Sequence, residues 1–234
     1  MKGIIVLYED QNLLVLNKPA GLPVQGGKGV GASLDSLLAL NYKERPLLVH
    51  RLDKDTSGII VTAKNKEIAA VCSALFSGRQ QGIKKTYLAF CAGTIDKKGT
   101  IDEKLIIKGK AVNAHTSYIC KGTMVLTDPG KTEEPISISL AELFPSTGRM
   151  HQLRRHLAQT GHPILFDDKY GDFTLNKRLK KILGTKRLLL HALSVYLPPL
   201  LVKGGLTISA PLPDYFSELI EKKSPCILKN SVLE

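Results

Sequence analysis

Cysteine is scarce in this chain: Cys72, Cys91, Cys120 and Cys226 are the four it has, and none forms a C-x-x-C pair. Each sits in or beside apolar sequence. They read as reduced thiols, at least some buried as small hydrophobes, and no disulfide framework is expected. No apolar stretch reaches the length of a membrane span. The first ten residues turn acidic at Glu9 and Asp10, too early for a signal peptide, so a cytoplasmic location is expected. The sequence also lacks a Gly-x-Ser-x-Gly elbow, an H-E-x-x-H zinc motif and a Walker Gly-Lys-Ser/Thr. Without the Walker spacing, the glycine-rich segment from Gly26 to Gly31 reads as a flexible loop rather than a phosphate cradle. No repeat and no convincing linker divides the chain. Acid is in short supply: 21 Asp and Glu face 33 Lys and Arg, a net charge of +12. That excess argues for a polyanionic partner, most simply nucleic acid, with an anionic membrane surface as the other candidate.

What is present is an ordinary globular composition, 43% hydrophobic and 23% charged, long enough to bury a core without staples. Ile4 to Tyr8 and Leu13 to Leu16 read as strands, followed by a Pro/Gly turn at Lys18–Pro23. Ser33 reads as the N-cap of a helix through Leu34, Leu37 and Leu38. Lys66 to Phe76 has Ile68, Val71, Cys72 and Leu75 on one helical face. Ile83 to Cys91 alternates as a strand, as does Ile136 to Leu140. Residues 94–132 are polar, with several short alternating runs. Met150 to Thr160 reads as helix and Arg187 to Leu197 as strand. Many strands, three or four helices and no βαβ rhythm indicate an α+β fold.

Two segments could carry chemistry. The first is His50-Arg51-Leu52-Asp53-Lys54-Asp55-Thr56-Ser57-Gly58, a charged loop between the apolar runs Leu47–Val49 and Ile59–Val61. Asp53 read alone is a turn former. The carboxylate beside Arg51, on a loop held by two core strands, is also well placed for catalysis. Thr56 and Ser57 read as turn- or cap-forming hydroxyls near Asp53. The second segment is Gly148-Arg149-Met150-His151-Gln152-Leu153-Arg154-Arg155-His156. Arg149, Arg154 and Arg155 crowd cations near a helix start, where the macrodipole disfavours them. A phosphate or a buried carboxylate would offset that cost; a solvated basic face is the plain alternative. His151, His156 and His162 are spaced five and six apart, wrong for two ligands on one helical face, so no metal site is expected. His115 and His191 read as structural. Tyr87 follows Lys84 and Lys85, and its plain reading is a half-buried strand tyrosine. The run Lys177-Arg178-Leu179-Lys180-Lys181, with Lys186 and Arg187, reads as a solvated face and the natural extension of a nucleic-acid-binding surface.

Together these segments resemble the RluA-type RNA pseudouridine synthases. The Asp53 segment, with Ala63-Lys64 downstream, is similar to the family's signature loop. Lys85-Thr86-Tyr87-Leu88-Ala89 resembles its K-x-Y-x-A strand. Gly148-Arg149-x-His151-Gln152-Leu153-Arg154-x-His156-Leu157, then Gly161-His162-Pro163-Ile164, Asp167 and Tyr170-Gly171, resembles its third block. Leu189-Leu190-His191-Ala192 resembles its late L-H-A strand, and Asn17-Lys18-Pro19-Ala20-Gly21 its N-K-P-x-G opening. The matches keep the family's order from about residue 4 to 212. Met150 stands where threonine is usual and Phe166 where glycine is usual.

The resemblance implies a mixed, mainly antiparallel sheet with flanking helices and a central catalytic cleft. It implies one catalytic domain over residues 1–234, without the small N-terminal S4-type domain of many relatives. It implies conversion of uridine to pseudouridine in ribosomal or transfer RNA, by a monomer, with no metal or organic cofactor. Asp53 would be the catalytic group, either attacking the sugar or assisting glycal formation. Arg154 would pair with it, and Tyr87 would stack on the flipped base and assist loss of the C5 proton. Leu190 would pack beneath the base. Arg51 would fill the space the base vacates or bind a phosphate, and His50, Arg149, His151 and Gln152 would contact substrate. Asp55 and Asp167 read as loop formers. Two rivals remain at this point: a pure RNA-binding protein, which has no need of Asp53, and a small-substrate glycoside hydrolase, which should show a second motif carboxylate.

Overall fold

The computed structural model describes residues 4–27, 31–77, 82–127 and 134–223. Cys226 and part of the glycine-rich segment lie outside them. In chain order the elements are β1 (Ile5–Glu9), β2 (Leu13–Lys18), α1 (Leu34–Asn41), β3 (Leu47–Leu48), β4 (Ser57–Ala63), α2 (Lys66–Phe76) and β5 (Lys84–Ala92). There follow β6 (Lys98–Ile101), β7 (Leu105–Ile107), β8 (Lys110–Val112), β9 (Thr116–Leu126), β10 (Ile136–Pro145) and α3 (Gln152–Gln159). Last come α4 (Phe173–Leu183), β11 (Leu190–Leu197), β12 (Leu206–Ser209) and α5 (Asp214–Lys223). The α+β expectation is met: β1–β2, β2–β4, β3–β4, β11–β12, β9–β10, β6–β9 and β7–β8 pair antiparallel, and β11 meets β4 in parallel.

The chain forms two compact units, each assembled from separated segments. The first contains β1 to β4, α1, α2, the start of β5 through Tyr87, residues 146–148, and 191–211. Its strands run β1-β2-β4-β11, with β3 also on β4 and β12 on β11. Leu13 to Leu16 of β2 are wholly buried, and so is every residue of β4. Both strands are covered on two faces, which is why they read as continuous apolar runs instead of alternating ones. Leu34 and Leu38 of α1 and Cys72, Leu75 and Phe76 of α2 supply part of that cover. Ser33 caps α1 through a capping box with Ser36, as its position suggested, and Asn65 caps α2 by accepting from the Ile68 amide.

The second unit contains residues 88–145, 149–190 and 212–234. Its strands run β5-β10-β9-β6, with β7 and β8 as a separate hairpin. The polar stretch from 94 to 132 thus holds four strands. Two of them have just three residues, and β9 is half-buried through most of its length. Short, half-exposed strands carry little apolar signal, so their boundaries were not readable. The charged segment at 173–183 is a helix, capped by Asp172 and closed by Gly184 in the left-handed region.

Gly58 marks where β4 turns from the Asp53 loop into the first unit's sheet. It has φ +107, and an added Cβ would lie 2.2 Å from the Ala192 carbonyl oxygen. Ser57 and Gly58 pair in parallel with His191 and Ala192, so backbone occupies the space of any side chain. Gly58→Ala is expected to destabilise the fold by more than about 3 kcal/mol, the sum of strain and a backbone clash. Urea unfolding measures this, and a loss within about 0.5 kcal/mol would show that β11 can shift away.

Candidate active site

The Asp53 loop is fixed at three places within the first unit. At its start, the His50 Nε2 accepts the Val61 amide at 2.9 Å, and its ring stacks on Phe76 with centroids 3.9 Å apart. β3 pairs with Thr62 and Ala63 of β4, and β11 with Ser57 and Gly58. The imidazole therefore completes the hydrogen-bonding edge of β4 between those two strands. Burial, helped by the charge of Lys85, drives His50 down to about 3, so the acceptor nitrogen stays deprotonated. In the fold, these contacts give His50 a positioning task at the start of the loop.

The middle of the loop is held by Lys18. This side chain is fully buried, and its ammonium donates to the carbonyls of Pro19, Leu22 and Lys54 at 2.9–3.0 Å. The Gly21 amide also donates to the Lys54 carbonyl. Burial lowers Lys18 to about 8, against the opposing charges of Asp55 and Asp53. Asp53 is thus close enough to a buried cation to act on it electrostatically. The end of the loop is tied by Ser57, whose Oγ lies 2.9 Å from Nδ1 of the buried His191. Burial lowers His191 to about 4 despite the Ala210 carbonyl facing Nε2. Ser57 thus ties the loop end to β11. Thr56 is buried, and its hydroxyl has no hydrogen-bond partner among the described residues.

Asp53 itself is half-buried, Arg51 is exposed, and the Asp53 carbonyl accepts the Thr56 amide in a tight turn. The turn-former reading and a chemical role therefore coexist in one residue. Tyr87 belongs to the same unit. Burial raises its phenol above the ordinary value and the charge of Asp53 raises it further, so the ring is neutral at physiological pH. Tyr87 lines a small recess with His50, Phe76, Lys85 and Ala192. Lys85, two residues earlier on the same face of β5, is lowered by burial to about 8 and donates to the Thr147 carbonyl at 3.3 Å. The structure thus brings Asp53 and Tyr87 into electrostatic reach, and adds Lys18 and Lys85 to them. Both lysines stand in the quoted motifs, but the sequence assigned neither a role in the site. A lysine closing the fully apolar run Leu13–Leu16 was the available signal for the first.

In the second unit, the arginine-rich segment builds a different arrangement. α3 begins at Gln152 rather than Met150, because His151 adopts φ 52 in the left-handed region. The helix is not a surface element: Gln152, Leu153, Arg154, His156 and Leu157 are all buried. Arg154 is met by a carboxylate, one of the two anions its position called for. Its Nε and Nη2 donate to the two oxygens of Asp167 at 2.7 Å each, and Nη2 also donates to Asp168 at 2.9 Å. Burial pushes the Asp167 carboxyl up, but the Arg154 hydrogen bonds and the Tyr170 and Lys169 amides outweigh it and hold the carboxyl below its ordinary range. Asp167 is a loop former, as read, and also the anchor of Arg154, which was not. Phe166 before it has φ 59, which explains physically why a glycine is at ease there.

The other expected contact residues have observed partners. Gln152 accepts the Arg149 amide and donates to the His115 carbonyl and the Thr116 hydroxyl. The exposed Arg149 donates through Nε to the Asn113 carbonyl. His151 lies 3.0 Å through Nδ1 from the Tyr170 hydroxyl. Arg154 and Lys169 both sit over the Tyr170 ring. Leu190 is buried. The three histidines of this segment form no metal cluster, and among the described residues no group of three possible metal ligands occurs. No helix among them is long and apolar enough to cross a membrane.

Comparison with known proteins places this arrangement in context. Residues 12–159 match the family model described as RNA pseudouridylate synthase. The chain belongs to the RNA pseudouridylate synthase family. The match contains the Asp53 loop, Tyr87 and Arg154, and the RluA-type resemblance is borne out. The ribosomal large subunit pseudouridine synthase C of Vibrio cholerae is 34% identical over 93% of this chain and 68% of its own length. The tRNA pseudouridine synthase C of Haemophilus ducreyi is 35% identical over 93% of this chain and 94% of its own. The solved structure of human RNA pseudouridylate synthase domain containing 4 is 30% identical, with a TM-score of 0.69 over 92% of this chain and 91% of its own.

The two buried histidines of the loop couple stability to pH. Both are neutral in the fold, at about 3 and about 4, while the unfolded chain binds protons below about 6.5. The contribution is complete above pH 6.5 and is lost as pH falls toward those folded values. At pH 5 each histidine is expected to cost about 2 kcal/mol of stability relative to pH 7. Urea unfolding at the two pH values measures the loss. In His191→Asn the pH-dependent part should be smaller than that of the parent by about 2 kcal/mol; an undiminished loss would mean that His191 titrates normally in the folded chain.

Proposed function

We propose that this chain isomerises uridine to pseudouridine in ribosomal or transfer RNA, with Asp53 as the catalytic carboxylate. The observation that carries the reading is the loop: a half-buried carboxylate, fixed at both ends and in the middle, beside the neutral Tyr87. The names of the relatives supply the substrate class. The reaction breaks the bond from N1 of uracil to C1′ and joins C5 to C1′. A proton leaves C5 and N1 gains one, so atoms and charge balance without any oxidant, water or cofactor. Asp53 either attacks C1′ or takes a sugar proton to give a glycal.

The raised phenol of Tyr87 refines its role. A neutral phenol offers its ring face for stacking and its hydroxyl as a donor, but it is a poor direct base for the C5 proton. Arg154, oriented by Asp167, is the cation this reading assigns to the catalytic carboxylate. Leu190 supplies apolar cover. Arg51, which is exposed, is assigned to the space the base vacates or to a phosphate, and the exposed Arg149 to substrate contact. The hydrolase rival loses ground because Asp167 is committed to Arg154 and two amides. The pure RNA binder loses ground because a carboxylate held this firmly in a chain of +12 would only repel RNA.

Pseudouridine mapping of total RNA, with and without the protein, tests the assignment. Asp53→Asn is expected to abolish every site the parent makes while keeping RNA affinity within about threefold, since it removes one half-buried negative charge from a chain whose RNA affinity comes from its cations. Retained modification would remove Asp53 from the chemistry. Tyr87→Phe preserves the stacking ring, so it should keep KM and lower kcat; a variant equal to the parent would leave the hydroxyl without a role.

A further inference from the structure

We propose that the outer face of α4, formed by Phe173, Lys177 and Lys180, is a docking surface for single-stranded RNA. An unpaired base would stack on Phe173, with the adjoining phosphates on the two lysines. The inference rests on the reading that this chain acts on RNA, and names where the substrate runs beyond the reacting uridine.

α4 has two unlike faces. Leu179 is fully buried, whereas Phe173 is 64% exposed at the first position of the helix. Residues spaced four and seven apart share a helical face, so Phe173, Lys177 and Lys180 form one stripe opposite Leu179. Lys177, Lys180 and Lys181 are all exposed. The helix carries four cations and no carboxylate. Lys180 and Lys181 stand in the last turn, where the dipole favours them, but Lys177 has no such reason.

The nearby carboxylates do not answer this charge. Asp172 caps the helix through the Leu175 amide, and Asp168 pairs with Arg154. Among the described residues no ion pair involves Lys177 or Lys180. The stripe also begins three residues after Tyr170, the residue that touches His151 and lies under Arg154. An exposed aromatic with cations on the same helical face is the pattern of a sequence-tolerant stacking platform. It is the conjunction of the ring with cations unpaired among the described residues that distinguishes this face, and the aromatic selects unpaired bases over duplex.

The test measures binding of a short fluorescein-labelled oligouridylate and of a mixed-sequence A-form RNA duplex. Phe173→Ala should weaken oligouridylate binding about five- to a hundredfold, and Phe173→Tyr should restore it, while duplex binding changes less than about twofold. Replacing Lys177 and Lys180 together by alanine should reduce the slope of log Kd against log salt by about 1.4 for the single strand. Phe173 is exposed, so an unchanged thermal midpoint accompanies these losses. Parent-like oligouridylate binding by Phe173→Ala, an unchanged salt slope, or no binding by the parent would overturn the proposal. Pseudouridine formation, followed in parallel, separates the two readings. Modification by the parent alongside parent-like binding by Phe173→Ala refutes the docking face alone. Weakened binding by Phe173→Ala with no modification by the parent refutes the enzymatic reading alone.

Discussion

The buried ammonium of Lys18 is the contact on which the Asp53 loop depends. An uncompensated charge in a protein interior is costly, and burial alone has brought this lysine down to about 8. The cost is offset by three carbonyls that converge on Nζ, one of them from Lys54, the residue after Asp53. The same lysine ends β2, whose preceding leucines and valine are wholly buried. A core strand is thereby joined through one side chain to the backbone beside the proposed catalytic carboxylate. Hydrophobic burial fixes β2, β2 fixes Lys18, and Lys18 fixes the loop. Removal of the ammonium would leave three carbonyls to find other donors, a loss concentrated at the loop.

The second unit uses the same logic with the charges exchanged. Asp167 is the buried anchor and Arg154 the oriented group. Two parallel hydrogen bonds set the plane of the guanidinium, which a single ion pair would not do. Asp167 is in turn held by the amides of Lys169 and Tyr170. Gly171 permits this close turn, since an added Cβ would lie 2.3 Å from the Asp167 carbonyl oxygen. In both units a charge that does no chemistry sits deeper than the group proposed to act.

The parts of the fold that could be read directly were those with a strong local signal. The amphipathic α2 and the Ser33 cap emerged from spacing and side-chain chemistry. The buried strands β2 and β4 emerged from runs of apolar residues. The strands β6 to β9 showed only as short alternating runs without bounds, because β7 and β8 have three residues each and β9 is part-exposed at successive positions. The site was legible as residues but not as contacts. Asp53, Tyr87 and Arg154 stood out by motif. Lys18, Asp167 and His191 also stand in the quoted motifs, but their contacts were not legible there, since each acts through a partner 13 to 134 residues away that no local pattern links to it. His50 shows the same limit: its place in the motif carries no sign of the Val61 amide on β4 that its ring accepts.

These anchors bear on why one carboxylate can suffice. A hydrolase needs a second acid-base group because it delivers water and releases its leaving group. In an isomerisation the leaving uracil is also the incoming partner, so the demand shifts from proton supply to retention and reorientation. A loop fixed at three points keeps the carboxylate still while the base turns, and a neutral aromatic face lets a flat ring rotate without breaking hydrogen bonds. A phenol is neutral at physiological pH even at its ordinary value, and burial together with the Asp53 charge moves the Tyr87 phenol still further from ionisation, so the ring face is uncharged throughout the working range.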